Sequence, residues 1–192
     1  MKLAFVGPAG ATPARLEELL LALVDRRGVD HIVPVGAAQA EVSAVLRGRE
    51  RRFPLEVAWT SSEYPDFVLA AVLDGVGANP AQPEEQARNQ RLANAVRRLG
   101  KGAAHLETLG TRRIAVAQDE TLAPTDVSIV VVAAPGPGLD RPAGGGSGRC
   151  RLRPGGLTSE GRLVAAEVEE VAGVLEVRFV DATGEAIRVE RI

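Results

Sequence analysis

Apolar and polar residues alternate over the first third of the chain in patterns typical of short strands and amphipathic helices. Leucines recur at helical spacing between residues 16 and 23, after a helix start at Thr12 and Pro13. The predicted elements are a strand over 2–6, a helix over 13–26, a strand over 30–35, a helix over 38–47 and a strand over 55–59. Because strands and helices alternate, we expect parallel strand pairing with right-handed crossovers.

The second half of the chain changes to the period-two alternation of antiparallel strands. Residues 63–74 fit either a helix or a strand, and Pro83 begins a polar helix that is predicted to reach Gly100. A β-branched run over 126–134 predicts a fully buried strand, and the Gly- and Pro-rich residues 135–150 predict a flexible loop. The other predicted strands are 105–109 and 112–117, a hairpin around Gly110, and the antiparallel set 162–168, 174–180 and 185–190.

These elements predict an α/β fold in which a two-sheet β-sandwich is flanked by helices. Neither half is long enough to build a generous core alone, so we expect one domain over residues 1–192.

Charge and cysteine content narrow the function classes. The net charge of −2 and the pI of about 5.8 indicate no general affinity for nucleic acid or anionic membranes. The single cysteine, Cys150, excludes an internal disulfide and a thiolate metal cage. Arg149 and Arg151 beside it would lower its pKa, although a lone cysteine in a loop is more often incidental. Without a signal peptide or a membrane-spanning apolar run, we expect a cytoplasmic protein with no membrane insertion.

The loop after the first strand, "GPAGATPA", contains two glycines but no acid, base or metal ligand. A phosphate-binding P-loop needs a lysine at the helix start, and this loop has none. A dinucleotide site needs an acid at the end of the second strand, which here reads "VPVGAA". The glycines therefore predict a chain turn, with the backbone amides of Gly7–Gly10 at a helix start as a possible anion site.

The order of the segments resembles that of the calcineurin-like metallophosphoesterases, especially the short bacterial phosphodiesterases and the retromer subunit that shares their fold. "KLAFVGPAGATPARLEELLLAL" matches the family's first strand, Asp-x-His loop and helix, and "GVDHIVPVGA" matches its strand ending in Gly-Asp. "PTDVSIVVVAAPGP" looks like the strand before Gly-His-x-His, and the tail from "RLRPGG" resembles the Asn-Pro-Gly-Ser turn and closing strands. The resemblance spans nearly the whole chain and implies the family's four-layer fold.

The chain departs from the family at the positions of the metal ligands. Pro8 and Gly10 match the first Asp and His, and Ala37 matches the bridging Asp. Proline and alanine cannot coordinate a metal, so the resemblance implies that the family's dinuclear site is lost. The other matched positions are Ser61, Ser62 and Glu63 for the Asn segment, Gln118, Asp119 and Glu120 for His-Gly-His, and Val132, Ala133 and Ala134 for Gly-His-x-His. We interpret the two histidines, His31 and His105, as ordinary strand residues.

The resemblance therefore implies a non-catalytic protein that binds a protein partner as a scaffold module, without a cofactor or metal. The expected surface is the rim of the former active site, with Trp59 and Tyr64 beside it as aromatic anchors, unless Trp59 packs in the core. The candidate rim residues are Pro8, Gly10, Ala37, Trp59, Ser61, Ser62, Glu63, Tyr64, Asp119, Ala133, Ala134 and Pro135.

Two other functions stay open. A hydrolase could use a rebuilt site near Glu63, Asp119 and Glu120, with Asp126 as a further carboxylate for Mg²⁺ or Ca²⁺. A nucleotide or anion receptor could use the backbone amides of Gly7–Gly10.

Overall fold

The computed structural model describes residues 1–52, 82–97, 99, 104–142 and 148–192 of the chain. The helices of these residues are α1 (Pro13–Leu21), α2 (Ala38–Arg52) and α3 (Gln82–Ala95). The strands are β1 (Lys2–Val6), β2 (His31–Pro34), β3 (Ala104–Leu109), β4 (Arg112–Ala117), β5 (Ile129–Val132), β6 (Gly138–Asp140), β7 (Cys150–Arg153), β8 (Val164–Val171), β9 (Val174–Asp181) and β10 (Ala186–Arg191). The predicted strand over 55–59 and the segment 63–74 lie outside the described residues.

The strands form two five-stranded mixed sheets, in the orders β10-β9-β8-β1-β2 and β3-β4-β5-β7-β6. As predicted, β1 and β2 pair in parallel, β3 and β4 form a hairpin, and β8, β9 and β10 are antiparallel. The α/β two-sheet sandwich flanked by helices is therefore confirmed. None of the helices in the described part of the chain has the length and apolar character needed to span a bilayer.

Side-chain alternation along β1 joins the sheets to the helices. Leu3 and Phe5 are fully buried between the two sheets, where they meet the apolar residues of β4 and β5. Ala4 and Val6 face the other way and contact the helices, because successive side chains of a strand point to opposite faces. The predicted leucine stripe of the first helix is buried in this second cluster: Leu16, Leu19, Leu20 and Leu23.

The boundaries of the first helix agree with the prediction, whereas those of the second and third differ where long-range contacts act on the chain. The first helix continues from α1 as a π-helical segment over Ala22–Arg26 and so reaches the predicted end. The second runs to Arg52 rather than 47, because the buried guanidinium of Arg49 contacts Glu85 on α3 and Glu17 on α1. The third ends at Ala95 because the chain then joins the edge of β2, where the Arg97 amide donates to the Ile32 carbonyl at 2.8 Å.

The segment 135–150 contains regular structure that its composition did not predict. Gly138–Asp140 form β6, which pairs antiparallel with β7 at the end of the second sheet. Residues 143–147 lie outside the described part of the chain.

Candidate functional site

The carboxyl ends of the parallel strands bring the loops of the two sheets together at one end of the sandwich. A Cβ built on Gly36, two residues after β2, would lie 2.7 Å from the Cβ of Ala133, directly after β5. The loop ends of both sheets are therefore in contact, as expected where parallel strands end at a common edge. This contact joins two of the segments that the sequence matched to the family's ligand loops.

The first loop packs closely against the turn over 154–157. A Cβ on Gly7 would clash with the Gly155 carbonyl, and a Cβ on Gly156 would clash with the Pro8 carbonyl. The Leu157 amide donates to the Ala9 carbonyl at 3.2 Å, which ties the two segments together. Gly7 is thus required by a close backbone approach, and Gly10 by its positive φ of 56°.

The exposed or half-buried residues of these loops are mostly small, with one exposed leucine in the turn bound to the first loop, and they are called the apolar rim below. Pro8, Gly10, Ala37, Ala133, Ala134, Pro135 and Leu157 form it. The side chain of Leu157 is 42% exposed although it is large and apolar. The sequence predicted the first six of these residues as a site and missed Leu157, whose position after Pro-Gly-Gly marks a turn but not its exposure.

A carboxylate from α2 accepts hydrogen bonds from two backbone amides of the first loop. Glu41 accepts from the Ala9 amide at 2.7 Å and from the Gly10 amide at 3.3 Å, so both of its oxygens are engaged. These amides belong to the segment considered above as an anion site. The loop therefore holds an anion that comes from its own chain. Sequence reasoning missed Glu41, since nothing local connects it to a loop about thirty residues earlier.

Each of the acids after β4 has a partner within the protein. Asp119 is exposed and accepts from both the amide and the hydroxyl of Thr121 at 2.8 Å, which is the geometry of a turn cap. The hydrogen bond from the Thr121 amide, with that from its hydroxyl, lowers the pKa of Asp119. Oε1 of Glu120 lies 3.6 Å from Nε of Arg149, and Asp126 forms an ion pair with Arg113.

Neither histidine lies at the carboxyl end of its strand, where the loops of the apolar rim begin. His31 begins β2, whereas the rim residues follow the end of that strand. His105 lies on the edge strand β3, where its Nε2 is 2.8 Å from a carboxylate oxygen of Glu107. Within the described ranges, no cluster of three or more His, Cys, Asp or Glu residues has the arrangement of a metal site.

Cys150 lies in a strand and not in a loop, which corrects the sequence interpretation. It begins β7, is 3% exposed and contacts the core between the sheets. Burial raises the pKa of its thiol, an effect that outweighs the influence of the Arg141 guanidinium. The lowered pKa expected from Arg149 and Arg151 is therefore wrong, because the Arg149 side chain donates to the carbonyls of residues 120, 123 and 124, and Arg151 points to the exposed face of β7.

Five of the predicted rim residues fall outside the described part of the chain. They are Trp59, Ser61, Ser62, Glu63 and Tyr64.

Comparison with solved structures identifies similar chains among the phosphoesterases. A predicted phosphoesterase from Streptococcus pneumoniae is 11% identical over 100% of this chain and 96% of that chain, with a TM-score of 0.49. YfcE, a phosphoesterase from E. coli, is 14% identical over 99% of this chain and 98% of its own, with a TM-score of 0.49. Vps29 from Entamoeba histolytica is 12% identical over 100% of this chain and 98% of its own, with a TM-score of 0.48.

Two of these three proteins are described as phosphoesterases. No family model matches the chain, and no curated protein matches it in sequence.

Proposed function

We propose that the chain is a non-catalytic, protein-binding or scaffold module that uses the apolar rim to hold a protein partner. The observation that carries the proposal is that the loops after β1, β2 and β5 meet at one end of the sandwich and expose methyl and proline groups there, while the turn with the exposed Leu157 is bound to the first loop. Interface centres are depleted in charged residues, and an exposed leucine among small apolar groups has that composition.

The Glu41 carboxylate supports this proposal over an anion receptor. A phosphate brought to the amides of Ala9 and Gly10 would have to displace a carboxylate that is tied to the same chain and bound through both oxygens. It would also approach a fixed negative charge, which opposes the binding of an anion.

The contacts of the acids after β4 support the proposed scaffold role over a rebuilt hydrolase site. A two-metal phosphoesterase needs several ligands that converge on each ion. Asp119 instead caps a turn, and Glu120 and Asp126 each face an arginine. These contacts use the carboxylates in structural roles.

The test is partner capture from the native cell extract with matched variants. Ala37→Arg, Ala133→Arg and Leu157→Arg each place a long cation on the rim, and Ala93→Arg makes the same change on the exposed face of α3. We expect one partner to be captured by the wild-type chain and by A93R, and to be lost from all three rim variants. Retention of that partner by the rim variants would contradict the proposal.

A second measurement addresses catalysis directly. Purified chain is loaded with Mn²⁺, its metal content is measured, and hydrolysis of a generic phosphodiester is followed. Stoichiometric metal together with turnover would overturn the non-catalytic assignment, whatever the result of partner capture. We expect hydrolysis at the rate of the buffer control.

A further inference from the structure

Strand β10 forms one edge of the first sheet. It pairs with β9 on one side, and among the described residues no strand pairs with its other side. Val189 near its centre is 49% exposed, although it is β-branched and apolar. An exposed edge strand presents unpaired backbone groups to which another strand can add.

The hydrogen-bond pattern shows which residues face the open edge. Ile192 and Leu175 of the neighbouring strand exchange both backbone hydrogen bonds, at 2.8 and 3.1 Å. Because such pairs alternate along an antiparallel ladder, Glu190 also faces β9, whereas Val189 and Arg191 direct their backbone groups outward. The Arg191 carbonyl agrees with this direction, since it accepts from the Arg141 side chain at 2.7 Å.

We propose that two copies of this chain form a dimer through antiparallel pairing of their β10 strands about a two-fold axis at Val189. In that register the outward amide and carbonyl of Val189 meet the same groups of the second copy and form two hydrogen bonds. Arg188 of each copy then lies opposite Glu190 of the other. These are non-hydrogen-bonded positions, where facing side chains come closest.

The charges select this register over its neighbours. A two-fold axis at Arg188 would place arginine opposite arginine, and one at Glu190 would place glutamate opposite glutamate. Like charges directly opposite each other in a ladder are destabilising. The order Arg-Val-Glu over 188–190 is therefore self-complementary only about its central valine.

Two features of β10 limit the strength of the dimer. The register with β9 shifts between Ala186 and Arg188, and this irregularity ends the regular ladder near Ile187. Nη2 of Arg188 already lies 2.6 Å from Oε1 of Glu190 in the same chain, so a dimer exchanges two such contacts within the copies for two between them. The ladder is also short, and we expect a reversible dimer that forms as the protein concentration rises.

The experiment is sedimentation velocity of the full chain from micromolar to near-millimolar concentration. The average mass of the wild-type chain is expected to rise from 20.1 kDa towards twice that value. Arg188→Glu and Glu190→Arg each place like charges opposite one another in both pairs, so each variant should dimerise at least about tenfold more weakly. Arg112→Glu, an exposed charge reversal on β4, is the matched control and should behave as wild type.

Mixing the two variants makes the test specific. In a mixed dimer, two glutamates of R188E face two arginines of E190R, so equimolar mixing should restore dimers that neither variant forms alone. The double variant R188E/E190R should dimerise with itself, and thermal unfolding shows that each variant is folded. A wild-type chain that stays monomeric, a dimer that survives both single reversals, or a failure of mixing to restore it would each overturn the proposal.

Discussion

Gly7 shows how a single residue of the apolar rim is determined by backbone contact. Its α-carbon faces the Gly155 carbonyl so closely that a methyl group cannot enter, and both partners of this approach are backbone. The loop that contains it therefore keeps its small residues for packing, while Glu41 satisfies its amides. The strand, turn and helix of this region have a structural explanation that requires no bound phosphate.

Gly7→Ala should lower the free energy of unfolding by about 2–3 kcal/mol, because the added methyl overpacks a backbone contact that cannot move aside. Gly48→Ala is the control, since Gly48 lies within α2 and a Cβ there would meet nothing within 4 Å. That variant should gain about 0.5–1 kcal/mol from helix propensity. Urea unfolding of both variants measures the difference, and equal effects would contradict the packing argument.

Ala172, at the turn between β8 and β9, occupies a backbone conformation that favours glycine. Its φ is +51°, a left-handed conformation that costs an L-residue about 1–2 kcal/mol. Ala172→Gly should raise the free energy of unfolding by about 0.5–1 kcal/mol, since greater freedom of the unfolded glycine offsets part of the relief. Thermal and urea unfolding check the sign, and a destabilised variant would show that the turn is not strained.

At the scale of elements, β8 carries a charged side chain that is buried. The carboxylate of Glu167 is fully buried and accepts from Arg27 at 2.9 and 3.0 Å and from Arg178 at 2.8 Å, with Lys2 at 3.6 Å. Burial raises its pKa, but the hydrogen bonds from Arg27 and Arg178 outweigh burial and hold the pKa below its usual value. This cluster connects the end of the first helix to three strands of the sheet, β1, β8 and β9.

The lowered pKa fixes the sign of a pH dependence. The contribution of Glu167 to stability is present above its unfolded pKa and is lost as the pH falls through its folded pKa. The free energy of unfolding should therefore decline below about pH 4.5 in the wild-type chain and less steeply in Glu167→Gln. At neutral pH that variant should be about 2–4 kcal/mol less stable, because its arginines lose a buried partner.

Urea unfolding between pH 2 and pH 7 measures both effects of this variant. Glu160→Gln, at an exposed carboxylate 3.7 Å from Arg162, serves as the control and should leave the pH profile unchanged. A parallel decline in wild type and E167Q would show that other carboxylates govern acid stability.

At the scale of the whole molecule, the labelling rate of Cys150 measures how often the core between the two sheets opens. Its thiol is buried between the sheets, and burial raises its pKa, so the reactive thiolate is scarce and inaccessible in the folded chain. A thiol reagent at pH 7–8 should label the native protein only as fast as the core opens, and should label it at once in urea. Rapid labelling of the native chain would show that β7 opens independently.

The apolar rim and the β10 edge are separate surfaces of one sandwich. Two strands, β8 and β9, lie between β10 and β1, whose loop enters the rim. Leu157→Arg should therefore abolish partner capture and leave sedimentation unchanged, whereas Glu190→Arg should do the reverse. Loss of both properties in either variant would show that the two surfaces act as one.

The fold class could be predicted from the sequence because local patterns carry it. Leucines at helical spacing placed α1, and period-two alternation placed β8, β9 and β10. The ends of α2 and α3 could not be predicted, since Arg49 and Ile32 determine them through contacts with distant segments. For the candidate site, the segment order predicts Pro8, Ala37 and Ala133 as rim residues, whose role stays a prediction, and no local pattern points to Leu157 or Glu41.

The sequence by itself determined the order and type of most described elements and the residue types available at the strand ends. Only the tertiary structure decided that Glu41 reaches the first loop, that Glu167 and Cys150 are buried, and that Gly36 meets Ala133. The physical reason is range. Backbone periodicity acts between residues a few positions apart, whereas burial, charge pairing and close approach depend on segments that meet only when the two sheets stack.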